Sequence, residues 1–158
     1  YALDRVKGLL LNKFGVSSFM IHGGKSSIVC GSSPQNQSKG WPIAINHPWQ
    51  PNKRIATVFL KNRALGISAA TYNNFESNGI KYGHILNPKT GYPANGIATC
   101  VVAAPDATSA DALSTAFFVL GTNAAMQYCE NHEEVGILIL SENEKEQVLV
   151  VGNLAVEF

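Results

Sequence analysis

The sequence predicts an α+β domain in which helices pack on one side of a mainly antiparallel sheet. Three observations carry this: an amphipathic helical pattern at the start, a train of short β-rich runs broken by Gly, Pro and Asn clusters, and two further helical stretches before a closing strand pair. At 158 residues, 46% hydrophobic and 15% charged, the chain is large enough for one real core, and a single domain over residues 1–158 is expected.

Leu3, Val6, Leu10 and Phe14 recur at helical spacing and Gly15 follows as a stop, so residues 2–14 read as an amphipathic helix whose stripe needs a sheet to cover. Strand-like runs follow at 18–22, 27–30, 41–46, 54–61 and 64–69, and together they read as one meandering sheet. "SSPQNQSKG", 32–40, has the composition of an exposed hairpin loop, and "HPWQPNK", 47–53, that of a second turn. Asn78-Gly79, inside "TYNNFESNGIKYGH", is the strongest short hairpin signal. "IATCVVAAP" resumes a strand, "TSADALSTAFFVLG" and "NAAMQYCENH" read as helices, and "VGILIL" with "QVLVV" forms a strand pair around the charged turn "SENEKE".

With 12 basic against 11 acidic side chains the formal charge is +1, which leaves no electrostatic footprint for a nucleic-acid backbone or an anionic bilayer. Cys30, Cys100 and Cys129 lie far apart among apolar neighbours and fit buried thiols better than a metal knuckle or a disulfide framework. No run approaches the roughly 18 apolar residues of a membrane span, and no basic start followed by an apolar core marks a signal peptide.

Three stretches have residues suited to chemistry. In "DATSADALSTAFFVLG", Thr108 or Ser109 is expected to cap the helix, with Asp111 in its first turn; Leu113, Phe117 and Leu120 share one face, and Asp111 and Thr115, four apart, share the opposite edge. A carboxylate and a hydroxyl so placed either complement the helix dipole at a solvated edge or supply the hard oxygens that magnesium takes. In "MIHGGKSSIVCG", Gly23-Gly24 lets a backbone approach a ligand closely or makes a tight turn between strands. His22 reads as a sheet histidine, His47 as a turn residue and His132 as a surface residue. In "GHILNPKTGYPA", Asn87-Pro88 starts a turn, Thr90-Gly91 ends it and Pro93 stiffens the exit. That loop presents His84, Asn87 and Thr90 in a defined bend, which suits either a polar ring or phosphate, or a purely structural corner.

In this order the segments resemble the ApbE family, the FAD:protein FMN transferases. "HILNPKTGYPA" is similar to the family pattern His-Ile-Ile-Asp-Pro-Arg-Thr-Gly-x-Pro, and "SADALSTAFFVLG" to Ala-Asp-Ala-Leu-Ala-Thr-Ala-Leu-Phe-Val-Leu-Gly. Gly23-Gly24 matches a family glycine pair, "AINHP" a strand ending in Asp-Pro, and "GISA" a Thr-Ser-Gly bend. Here Lys25 and Ser26 follow the glycines where an acid is common, Asn87 and Lys89 replace Asp and Arg, His47 stands for Asp, and Ala69 for Gly.

The resemblance implies an ApbE-like, T-fold-like architecture and an FAD-binding, Mg²⁺-dependent enzyme that moves FMN onto a threonine of a target protein with release of AMP. Some members instead hydrolyse FAD to FMN and AMP, and a module that binds flavin without turnover is a third expectation. Carried onto this chain, the resemblance makes Asp111 and Thr115 magnesium ligands and His84 the acid/base or phosphate-contacting group. Gly23, Gly24, Ser68, His84, Asn87, Pro88, Thr90 and Gly91 become residues that hold FAD. The partners implied are FAD and an acceptor protein of the redox-complex type. Family members are about twice this length, so the chain is expected to be a carboxy-terminal portion whose upstream half supplies part of the FAD pocket and a further magnesium ligand. Many bacterial members are exported and lipid-anchored, which implies a periplasmic or membrane-anchored setting, with any membrane association resting on an upstream segment.

Overall fold

The computed structural model describes residues 1–33, 38–50, 52–69, 74–77, 80–142 and 147–158. Helix α1, Ala2–Asn12, leads into strands β1 (Met20–His22), β2 (Ser27–Cys30), β3 (Trp41–Asn46), β4 (Arg54–Leu60), β5 (Ala64–Ala69), β6 (Asn74–Ser77), β7 (Ile80–Gly83) and β8 (Ile97–Ala104). Helices α2 (Ala107–Leu120) and α3 (Thr122–Glu130) follow, and β9 (Gly136–Ser141), β10 (Val148–Gly152) and β11 (Val156–Glu157) close the chain. The expected helices and strands are present with ends moved by one or two residues, and the short β11 is an addition.

The larger correction concerns the sheet. The expected single meander is split into a six-stranded antiparallel sheet in the order β1-β2-β5-β8-β9-β10, a three-stranded sheet in the order β11-β4-β3, and a separate β6-β7 ribbon. The helices do lie on one side of the main sheet, where Val29, Cys100, Val102, Ile137 and Ile139 meet Ala110, Phe117 and Phe118. Its other face is covered by the second sheet: Ile43, Ile45, Val58 and Leu60 pack against Ile28, Leu65, Val101 and Leu138. Strand β8 lies inside both layers, and all eight of its residues are buried. An apolar run with one polar member, Thr99, can be placed there because neither face meets water. By contrast β3 and β4 cover one face only, and their burial alternates with the period of two of a half-exposed strand.

Helix α1 is held less deeply than its pattern suggests. Leu3 and Leu10 reach the core, whereas Val6 and Phe14 of the same stripe are exposed. The Asn-Gly hairpin signal is matched by the β6-β7 pairing, in which Ser77 faces Ile80; Asn78 and Gly79 themselves lie outside the described residues, as do 34–37 of the first expected loop and 143–146 of the "SENEKE" turn. The second expected turn is closed by the His47 N–H donating to the Lys53 carbonyl and the Lys53 N–H to the Gln50 carbonyl, both at 2.8 Å. All three cysteines are free; Cys30 and Cys100 are buried as expected, and Cys129 is half-buried.

Candidate functional site

The site depends on how α2 is seated. Its expected caps, Thr108 and Ser109, lie inside the helix; the cap is Asp106, whose carboxylate accepts from the Ser109 N–H at 2.8 Å and the Ser109 hydroxyl at 2.9 Å. Asp106 wins because its backbone is extended, the conformation that aims a side-chain oxygen at N–H groups of the first turn. A second carboxylate arrives from α1: Asp4 accepts from the Ala107 N–H at 2.7 Å, and from the N–H and hydroxyl of Thr108 at 3.0 and 2.6 Å. Burial raises the Asp4 pKa, but the hydrogen bonds from the Thr108 side chain and from the Ala107 and Thr108 backbone outweigh it and hold the carboxyl below 3.8. Asp111 is consequently the fifth helical residue and lies just past the first turn.

Small side chains bring the helix onto β5. The buried face of α2 is Ala107, Ala110, Ser114, Phe117 and Phe118, so of the expected apolar face only Phe117 is fully inside, and Leu120 is 58% exposed. A Cβ on Gly66 would lie 2.2 Å from the Ala110 carbonyl oxygen, so only glycine permits this approach. Two residues on, Ser68 meets the helix: its hydroxyl lies 2.9 Å from that of Ser114 and 3.0 Å from that of Thr115. From β2, the Ser27 hydroxyl donates to Asp111 Oδ1 at 3.1 Å.

A cleft of about 770 Å³ opens beside this contact, lined by Ser68, Asp111, Thr115, His84, Lys25 and Ser26 among others. Four residues singled out in the sequence thus share one concavity. His84 reaches it from just beyond β7, followed by Ile85 and Leu86. Asn87, Pro88, Thr90 and Gly91 do not line the cleft; they build the bend that follows it. The Asn87 carboxamide oxygen accepts from the Lys89 N–H at 2.9 Å, the Thr90 hydroxyl oxygen from the Tyr92 N–H at 3.2 Å, and Gly91 takes a positive φ of 73°. A Leu86–Pro93 bridge closes the loop and sets the exit of the His84 segment.

The glycine pair makes the β1–β2 turn, with the Gly23 N–H donating to the Ser27 carbonyl at 2.8 Å. Gly23 packs under Leu3 of α1, while Gly24, with a φ of 92°, lines a second cavity of about 490 Å³. Lys25, Ile67 and Ala69 line both cavities. The second also has His22, Asn46 and Thr99 on its walls, and among the described residues the buried Thr99 hydroxyl finds no hydrogen-bond partner. Ser27 and Thr99 escape a sequence reading because serine and threonine in strands have no periodic signature, whereas Lys25 stands out there only as a departure after the glycine pair. His47 is a turn residue yet 2% exposed, and its Nδ1 accepts from the Trp49 N–H at 3.2 Å. His132 is half-buried, stacked on Tyr128 with ring centroids 3.7 Å apart, and away from either cavity.

Comparison with known proteins agrees with this architecture. The ApbE protein of Thermotoga maritima, at 30% identity, superposes over 94% of this chain and 47% of its own with a TM-score of 0.81. The flavin transferase ApbE of Vibrio cholerae shares the fold, with a TM-score of 0.74 at 22% identity over 94% of this chain and 46% of its own. An enzyme of Haemophilus influenzae named FAD:protein FMN transferase is 37% identical over 111 residues, 68% of this chain and 32% of that protein. Another of the same name, from Klebsiella pneumoniae, is 27% identical over 91% of this chain and 41% of its own length. The chain therefore spans well under half the length of these curated relatives. The sheet sandwich with helices on one side is the fold of the ApbE proteins. A profile of the ApbE family matches residues 1–139, and the chain belongs to that family.

Proposed function

We propose that this chain carries the pyrophosphate and metal end of the active site of a Mg²⁺-dependent FAD:protein FMN transferase, acting on a threonine of an acceptor protein. The observation that carries the reading is the convergence of Asp111 and Thr115, from α2, with His84, from the segment after β7, on one cleft. Among the described residues no three His, Cys, Asp or Glu side chains gather into a metal-binding group. The donors present still fit magnesium, which takes few protein oxygens and keeps water and phosphate around it. Asp111 would offer its carboxylate and Thr115 its hydroxyl, and the bound ion would neutralise charge on the pyrophosphate. Lys25 adds a cation at the rim, and the partnerless Thr99 hydroxyl is suited to the polar edge of a ring in the adjoining cavity.

In the reaction, the acceptor threonine oxygen forms a bond to the FMN phosphorus as the bond from that phosphorus to the bridging oxygen breaks. AMP leaves with that oxygen and the bonding electrons. His84, which lines the cleft, would take the proton from the attacking hydroxyl as general base. The bend at 87–93 closes the chain behind His84.

The test mixes the full-length protein with FAD, Mg²⁺ and a peptide bearing an acceptor threonine. FMN added to the peptide with equimolar AMP is the expected result. AMP and free FMN without labelled peptide would make the protein an FAD pyrophosphatase, and neither product would leave a flavin-binding module.

A further inference from the structure

We propose that Ser68, together with Ser114, is a positioning residue that holds the Thr115 hydroxyl proton inward and leaves the Thr115 oxygen facing the cleft as an acceptor only. The inference rests on the metal reading above. Four contacts join the three hydroxyls: Ser68 to Ser114 at 2.9 Å, Ser68 to Thr115 at 3.0 Å, Ser114 to the Asp111 carbonyl at 3.0 Å and Thr115 to the same carbonyl at 3.3 Å. Three hydroxyl protons can serve three of these at once. The arrangement that omits only the longest contact has Ser114 donating to the Asp111 carbonyl, Ser68 donating to Ser114, and Thr115 donating to Ser68. Each of the three other choices gives up a shorter bond, and in all of them Thr115 still donates inward, to the Asp111 carbonyl. In every arrangement that serves three contacts the proton is committed to the protein, and the oxygen that borders the cleft has lone pairs to offer and no hydrogen. Such an oxygen suits a cation and not a phosphate oxygen. Ser68 and Ser114 are 8% and 1% exposed, so water does not compete for the bond between them, whereas Thr115 itself is exposed at the cleft. Ser68 thereby acts through Thr115.

The test titrates full-length protein with Mn²⁺, a hard-oxygen probe read by its electron paramagnetic resonance signal, in the absence of FAD. Ser68→Ala should weaken Mn²⁺ binding about 10-fold, the scale seen when the support of a metal ligand is removed. Thr115→Val should weaken it at least as much, and the double variant should be no weaker than Thr115→Val alone, because coupled residues are not additive. Ser68→Cys keeps the volume with a poor hydrogen-bonding group and should behave like Ser68→Ala, which guards against a misfolded alanine variant. Metal-free FAD affinity, read by flavin fluorescence, should be unchanged. Parental Mn²⁺ affinity in both Ser68 variants, additivity with Thr115→Val, or a comparable loss of metal-free FAD binding would each overturn the inference. Mn²⁺ uptake that needs Asp111 but ignores Ser68 sinks it alone; a protein with no Asp111-dependent uptake sinks the metal reading as well.

Discussion

Asp111 presents its carboxylate to the cleft while one of its oxygens accepts from Ser27, so its charge and its orientation are separable. Asp111→Asn keeps an acceptor for Ser27 and removes the charge. Transfer of FMN should fall about 100-fold or more with little change in the thermal midpoint, as expected for an electrostatic contribution to phosphoryl chemistry. His84→Ala should cost a similar factor, on the order of 100-fold, if the ring handles the proton. Both are assayed by FMN incorporation and by melting in parallel. The cysteines give an independent check on packing. Burial pushes the thiols of Cys30 and Cys100 up to about 12, so neither should be alkylated by iodoacetamide at pH 8 until the protein unfolds. Mass spectrometry after native and denatured labelling reads this directly. At this scale the Asp111–Thr115 pair was legible, because four residues on a helix is a local relation. His84 entered the same cleft only by family resemblance. Ser27 and Thr99 were invisible, since their partners or lack of them depend on residues far away in the chain.

The helix α2 is placed by two devices that belong to elements and not to single residues. One is Gly66, which lets the β5 backbone lie against Ala110. Gly66→Ala should force the helix outward and cost about 1–3 kcal/mol, read by urea unfolding, with loss of FMN transfer because Ser68 is drawn away from Thr115. The other is the double cap by Asp106 and Asp4. Asp4→Ala should cost about 1 kcal/mol, the usual worth of a helix cap. Its pH dependence has a definite sign: the folded carboxyl is held below 3.8, so its stabilisation is fully present above that value and is lost as pH falls through the lower folded pKa. The difference in melting temperature between parent and Asp4→Ala should thus hold steady near neutrality and shrink only in acid below about pH 3.8. The cap was misread from sequence as Thr108 or Ser109 because each is a good capping residue, and the choice among neighbours depends on where the backbone leaves β8.

Across the whole molecule, the main sheet is buried between helices and a second sheet, and one charged side chain helps tie its far end together. The Arg63 guanidinium donates to the carbonyls of Asn153, Ala103 and Glu134 at 2.5, 2.9 and 2.5 Å. Burial lowers its pKa, with Glu134 acting in the opposite direction, so the cation is held in place by carbonyls in a partly dry site. Arg63→Ala should destabilise the protein by about 2 kcal/mol, since three carbonyls lose a charged donor. Equilibrium denaturation measures it. Arg63 has no sequence signal, as it joins segments up to 90 residues apart.

The sequence by itself determined the helices, nearly all the strands, the hairpin and the polar bend, because periodicity and turn chemistry act over a few residues. It also contained the two long motifs through which the family is recognised. Only the tertiary structure decided that the strands divide into two sheets, that β8 is enclosed on both faces, and that α2 rests on Gly66 deeply enough for Ser68 to reach Thr115. These outcomes depend on which surfaces exclude water from each other and on close approaches between distant backbones. Such relations exist only once the chain is packed, and they turn a helix edge, a strand serine and a loop histidine into one cleft.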